Sequence, residues 1–152
     1  MTIGPIYQFT VTGVPKPQGS KRAFVVQAKG EKPRAVVVDS NKGPMRDWRV
    51  DVTVEAARQR ELMCAPPLTG PVSVLLTFWL PRPKSAPKSR VFHSVRPDLD
   101  KLTRAVFDSI TAAGLWHDDS QVSELTTQKI YPEPSHVTGV QIHIHALREG
   151  RL

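Results

Sequence analysis

The chain holds a single cysteine, Cys64, so no intrachain disulfide forms and no zinc site can be assembled from several thiolates. Long apolar runs are missing as well, and none approaches the ~20 residues needed to cross a bilayer. The opening residues, Met1 to Thr12, lack the basic-then-apolar order of a signal peptide. Apolar residues reach only 39%, a low share for a globular protein. A soluble cytoplasmic protein with no membrane contact is the expectation. No repeat and no composition shift marks a second unit, so residues 1–152 are expected to form one domain. That length supports a core independent of disulfides or structural metal.

Acidic residues are in deficit. Lysine and arginine number 21 against 14 aspartates and glutamates, a net charge of +7, with an isoelectric point near 9.9. A polyphosphate suits such a surface, because neutralising it releases condensed counterions. The distribution sharpens this. Eighteen of the 21 basic residues lie at or before Arg104, whereas six of the 14 acids fall between Asp98 and Glu124. Carboxylates crowded into one short segment of a basic chain repel each other, and a bound cation relieves that repulsion.

Prolines are abundant, 14 in all, and they divide the chain. Ile6 to Thr12 alternates as a strand. Pro15 to Arg22 is a basic loop too rich in Pro and Gly for regular structure. Ala23 to Gln27 and Ala35 to Asp39 are valine-rich strands, with a hairpin turn at Lys29 to Pro33. Pro44 suits the first turn of a helix running to about Leu62, with Met45, Trp48, Val52 and Ala56 on one face. Val72 to Leu80 is the strongest strand. Pro81 to Pro97 is a long loop carrying Arg82, Lys84, Lys88, Arg90 and Arg96, and loops of that length are functional or disordered. Asp98 to Ala113 is helical, and Val122 to Ile130 and Gly139 to Ala146 close the chain as strands. The order predicts an α+β fold, a single domain with a mixed β-sheet and two main helices.

The helix from Asp98 carries the chemistry. Pro97 and Asp98 form a helix start, with the Asp98 carboxylate expected to accept from a first-turn N–H. Leu102, Val106, Ile110 and Ala113 make the apolar stripe, and Gly114 suits a left-handed C-cap. Asp100, Arg104 and Asp108 follow at i, i+4 and i+8, and an Asp100–Arg104 pair is worth about 0.3 kcal/mol. Helix physics covers each residue singly, but not the second acidic pair, Asp118-Asp119, just after the helix. Converging carboxylate oxygens are what Mg²⁺ or Mn²⁺ requires. Spacing alone leaves two readings open, a metal site or a capped surface helix.

Arg96-Pro-Asp-Leu-Asp-Lys-Leu, then Asp108-Ser-Ile, Gly114-Leu-Trp and Asp118-Asp-Ser-Gln-Val, resembles the RusA family of Holliday-junction resolvases. Order and spacing agree from Arg96 to Val122, and the likeness is looser before that. The resemblance implies a RusA-like fold and a homodimer that nicks four-way DNA junctions in pairs with Mg²⁺, or Mn²⁺ as substitute, in a bacterial or phage-infected cell. Its catalytic acids correspond to Asp98, Asp100 and Asp119. The family commonly has Asn after the second motif Asp and a catalytic Lys three residues later, where this chain has Lys101 and Arg104. Arginine keeps the charge but does not readily release a proton, which assigns Arg104 a catalytic part in holding phosphate or stabilising the transition state. Asp118 is a supporting or outer metal ligand, and Asp108 a structural ion-pair partner.

Lys16, Lys21 and Arg22 in the first basic tract are the candidate DNA contacts, together with Arg82, Lys84, Lys88, Arg90 and Arg96 in the second and Lys101 on the helix. His143 and His145 share the polar face of the last strand and read as exposed residues. His93 is a candidate phosphate contact, His117 a surface residue, and Trp48, Phe78 and Trp116 packing residues. Two alternatives remain at this level: a nuclease for flaps or forks, and an inactive junction-binding protein.

Overall fold

Alternation builds the sheet. Along β1 (Tyr7–Thr12) Tyr7, Phe9 and Val11 are buried while Gln8, Thr10 and Thr12 are exposed, the period-2 signature of a strand with one face on a core. β1 pairs antiparallel with β6 (Gly139–Ala146), setting Phe9 opposite Ile142. β6 pairs antiparallel with β4 (Val72–Trp79), and β4 runs parallel to β5 (Val122–Ile130). The result is a four-stranded mixed sheet in the order β1-β6-β4-β5. A computed structural model describes residues 6–18, 21–26, 29–30, 34–39 and 42–148, with side chains described for 6–18, 29–30 and 47–148.

Parallel neighbours need a crossover, and the chain between β4 and β5 supplies one as a loop followed by α2 (Leu99–Ala113). Leu102, Val106 and Ile110 bury the apolar stripe of α2 among the sheet residues Val74, Leu76, Phe78, Ile142 and Ile144. The same core takes Trp48, Val52 and Ala56 from α1 (Lys42–Met63). The architecture is α+β, two helices and a four-stranded mixed sheet, as the sequence predicts. Gly114 ends α2 at φ 74°, and a Cβ there would stand 2.8 Å from Nη1 of Arg60. The left-handed backbone favours glycine there, whereas the Arg60 guanidinium ends a flexible side chain that can shift aside.

Differences from expectation are local. α1 starts two residues before Pro44, which still lies in the first turn, where no intrahelical N–H bond is lost. β2 (Lys21–Val26) and β3 (Arg34–Asp39) pair antiparallel as a separate ribbon, with Phe24 opposite Val36. Of the expected strand and turn there, Gln27, Glu31, Lys32 and Pro33 lie outside the described residues, as do the side chains of Lys21, Arg22 and Met45. The loop after β4 is not free of structure. Phe92 bridges Ile130, and Tyr131 and Val91 share a backbone hydrogen bond of 2.9 Å.

The expectation for His143 is corrected. It is half-buried, its Nε2 is covered without a hydrogen-bond partner, and burial lowers its imidazole from the ordinary 6.5. Gln8 and Leu75 stand opposite it on the adjacent strands. Among the described residues no helix is long and apolar enough to cross a membrane. Ile142 sits at the centre of the sheet with no exposure. Ile142→Ala is expected to cost about 2–5 kcal/mol in urea unfolding, and a loss below about 1 kcal/mol would contradict this packing.

Candidate active site

Two carboxylates stand where α2 begins. Asp98 occupies the N-cap position with extended backbone (φ −73°, ψ 137°), and its carbonyl accepts from the Leu102 N–H at 3.1 Å. Its side chain makes no cap hydrogen bond, contrary to the expectation from sequence. The carboxylate instead faces Lys101, with Oδ2 3.3 Å from Nζ, and is about half exposed. Asp100 follows in the first turn and is exposed. An aspartate at a helix N-cap that declines to cap keeps its oxygens for another partner.

Arg104 is exposed one turn beyond Asp100, but the expected Asp100–Arg104 ion pair does not form among the described residues. Asp108 does serve as an ion-pair partner, to Arg49 of α1 at 3.7 Å, so its role is to join the two helices.

Sequence reading missed Lys129. Its ammonium donates to the carbonyl oxygens of Val95 (2.5 Å) and Pro97 (2.7 Å), tying the end of β5 to the residues just before Asp98. Burial lowers the Lys129 pKa from its ordinary value, an effect partly offset by the Asp98 charge. A lysine 32 residues from Pro97 in sequence carries no local signal of this contact.

Both basic tracts meet this end of α2. The first is docked there by the Gln18 N–H, which donates to the Lys101 carbonyl at 3.0 Å, and Lys16 lies two residues earlier, half-buried. The second leads directly into Asp98; Lys84, Lys88, Arg90 and Arg96 are exposed and Arg82 half-buried. His93 is corrected from phosphate contact to buried residue: it is 6% exposed and its ring lies 5.1 Å from that of Tyr131. Desolvation and the nearby Lys129 charge lower its pKa.

The second acidic pair is elsewhere. Asp118 caps a short 3-10 turn, Asp119–Gln121, its Oδ1 accepting from the Ser120 N–H at 2.8 Å. Hydrogen bonds from the Ser120 hydroxyl first, and then from its backbone N–H, lower the Asp118 pKa. Gln121 fixes the turn by accepting from the His117 and Asp118 N–H groups and donating to the carbonyls of Leu68 and Gly70. Asp119 and His117 are exposed, and Trp116 is buried as a packing residue, donating to Thr111 Oγ1 at 2.7 Å.

The turn opens β5, whereas Asp98 lies beside its last residues. α2 runs back along β5, Thr103 meeting Thr127 at 3.3 Å and Pro97 meeting Lys129. A helix of 15 residues spans roughly 22 Å, so Asp119 stands about a helix length from Asp98 and Asp100 in the same chain. Among the described residues no three His, Cys, Asp or Glu side chains gather as a metal cage. Two carboxylates do gather, and Mg²⁺ takes one or two carboxylates with water and substrate oxygens completing its shell. The α2 start fits such an ion in part.

The α+β frame thus sets two exposed carboxylates, Asp98 paired to Lys101 and Asp100 beside it, at the end of α2 where Lys16 and the loop carrying Arg82 to Arg96 arrive. Residues 15–145 match the family described as endodeoxyribonuclease RusA, and the chain belongs to that family. It is also 28% identical over 140 residues to a Bacillus subtilis (strain 168) protein named uncharacterized protein YqaN, covering 86% of this chain and 91% of that one.

Lys129→Met removes the donor shared by Val95 and Pro97. Unfolding stability should fall by about 1–3 kcal/mol, the net worth of hydrogen bonds from a charged, part-buried donor, and Lys129→Arg should recover part of it. An unchanged denaturation midpoint for Lys129→Met would show that the contact does not hold the loop.

Proposed function

We propose that the chain is a homodimeric, Mg²⁺-dependent nuclease that resolves four-way DNA junctions by paired nicks in recombination and repair, in the cytoplasm of a bacterial or phage-infected cell. Supporting this is family membership together with one observation: Asp98 sits at an N-cap without capping, beside Asp100 and between two basic tracts. Asp98 and Asp100 bind the cation, which can be Mn²⁺ instead. Lys101, paired with Asp98 in this structure, would be available to the DNA backbone where that carboxylate holds a cation.

The separation along α2 gives the dimer a chemical reason. Asp119 cannot join Asp98 and Asp100 within one chain, so Asp119 of a second copy supplies the third acid, with Asp118 holding the turn that presents it. A two-fold arrangement makes two such sites at once, as paired nicking needs. When bound, the cation supplies charge neutralisation on the phosphoryl oxygens and acidifies a water. Arg104, exposed one turn from Asp100, holds the scissile phosphate through its guanidinium fork. Lys16, Lys21, Arg22, Arg82, Lys84, Lys88, Arg90 and Arg96 fix the DNA through its backbone, a sequence-independent contact suited to reading branch shape.

Labelled four-way junction, flap and linear duplex, each incubated with Mg²⁺ and with EDTA, test the proposal. Symmetric junction nicks are expected, lost in EDTA and reduced by on the order of a hundredfold or more in Asp100→Asn. Faster cutting of flaps than junctions would replace the substrate, and binding without cleavage in any divalent ion would remove the enzyme.

A further inference from the structure

A cleft of about 840 Å³ opens at the far ends of β4 and β5, within the range of roughly 300–1,000 Å³ that holds small ligands. The side chain of Trp79 leaves β4 on the face opposite the core row of Val74, Leu76 and Phe78. Its ring lies 5.0 Å from that of His136. Across the cleft the Arg82 guanidinium rests 4.5 Å from the centre of the Tyr131 ring and donates through Nη1 to the Pro87 carbonyl at 2.6 Å. Lys88 and Arg90 also line it, and Glu133 is the single acid.

We propose that this cleft binds one unpaired nucleotide of the DNA strand, its base against Trp79 and His136 and its phosphate against Arg82, Lys88 and Arg90. This rests on the nuclease reading above and adds to it a site beyond the carboxylates. The chemistry of the lining selects the occupant. Flat rings and three cations in one lining match a flat π-face carrying an anion, which is a nucleotide. A base inside a duplex has both faces stacked, so the ligand is a nucleotide turned out of its pair beside the branch, where few neighbours hold it. Arg82 is already held by Tyr131 and Pro87, so little side-chain freedom is lost when phosphate arrives.

Position links the cleft to the acids. Val91 bonds the Tyr131 N–H, the His93 N–H bonds the Lys129 carbonyl, and Lys129 grips Val95 and Pro97. Cleft and Asp98 thus hang in sequence from the end of one strand, β5.

Junction affinity in Ca²⁺, measured with an abasic site stepped along the nucleotides flanking the branch and compared with a mispaired base at the same position, tests this directly. Stacking one base on an aromatic ring is worth roughly five- to a hundredfold in affinity, so one abasic position should weaken the wild-type protein by about tenfold. The same lesion should change binding by less than about twofold in Trp79→Ala and in His136→Ala, the base contact being already gone. His136 lies in an exposed loop, so its variant tests the cleft without disturbing the sheet. Equal penalties in wild type and both variants, with the intact junction still bound, overturn the cleft and leave the nuclease reading standing. Saturable binding of free deoxynucleoside monophosphate without any abasic effect overturns it too. Wild-type protein that binds no branched DNA removes both readings together.

Discussion

The packing of α2 across β5 constrains everything that faces DNA. Leu102, Val106 and Ile110 hold the helix in the core, Thr103 touches Thr127, and the Lys129 ammonium closes the far end on the carbonyls of Val95 and Pro97. Burying those three side chains is worth several kcal/mol, far more than the ion pair that Asp98 makes with Lys101 at the surface. The helix axis therefore does not yield to the chemistry at its ends. Asp98 and Asp100 are delivered to one end of the sheet and Asp119 to the other, whatever the charges would prefer.

That rigidity also explains how a basic chain tolerates its acidic segment. Repulsion between carboxylates is relieved partly by Lys101 and by Lys129, whose charge sits near Asp98 in spite of its own partial burial. The two basic tracts reach the same place by different routes, one through the Gln18–Lys101 backbone contact and one through chain continuity into Pro97. A positive surround with a negative centre suits the endodeoxyribonuclease family to which the chain belongs.

Much of the fold was legible because its signals are local. β5 and β6 fall where alternation and composition place them, α2 follows its apolar stripe to Gly114, and Asp108 is an ion-pair partner, although to Arg49 rather than to its own helix. What was not legible depends on residues distant in sequence. Nothing near Asp98 announces that its carboxylate leaves the cap unmade, and nothing near Lys129 announces two carbonyls more than 30 residues away. His93 reads as a loop histidine until Tyr131 is seen to cover it. Asp119 is nearer to Asp98 in sequence than in space, because the intervening residues form a straight helix instead of a turn.

The measurement that bears most directly on this account mixes two inactive chains. Asp100→Asn and Asp119→Asn are unfolded together, refolded at equal amounts and given junction with Mg²⁺. If acids from two copies form each site, every mixed dimer holds one intact site, and nicking should return to about a quarter of the wild-type level. A mixture as inactive as its two parents, with both variants still binding junction, would contradict the account and return the chemistry to residues within one chain.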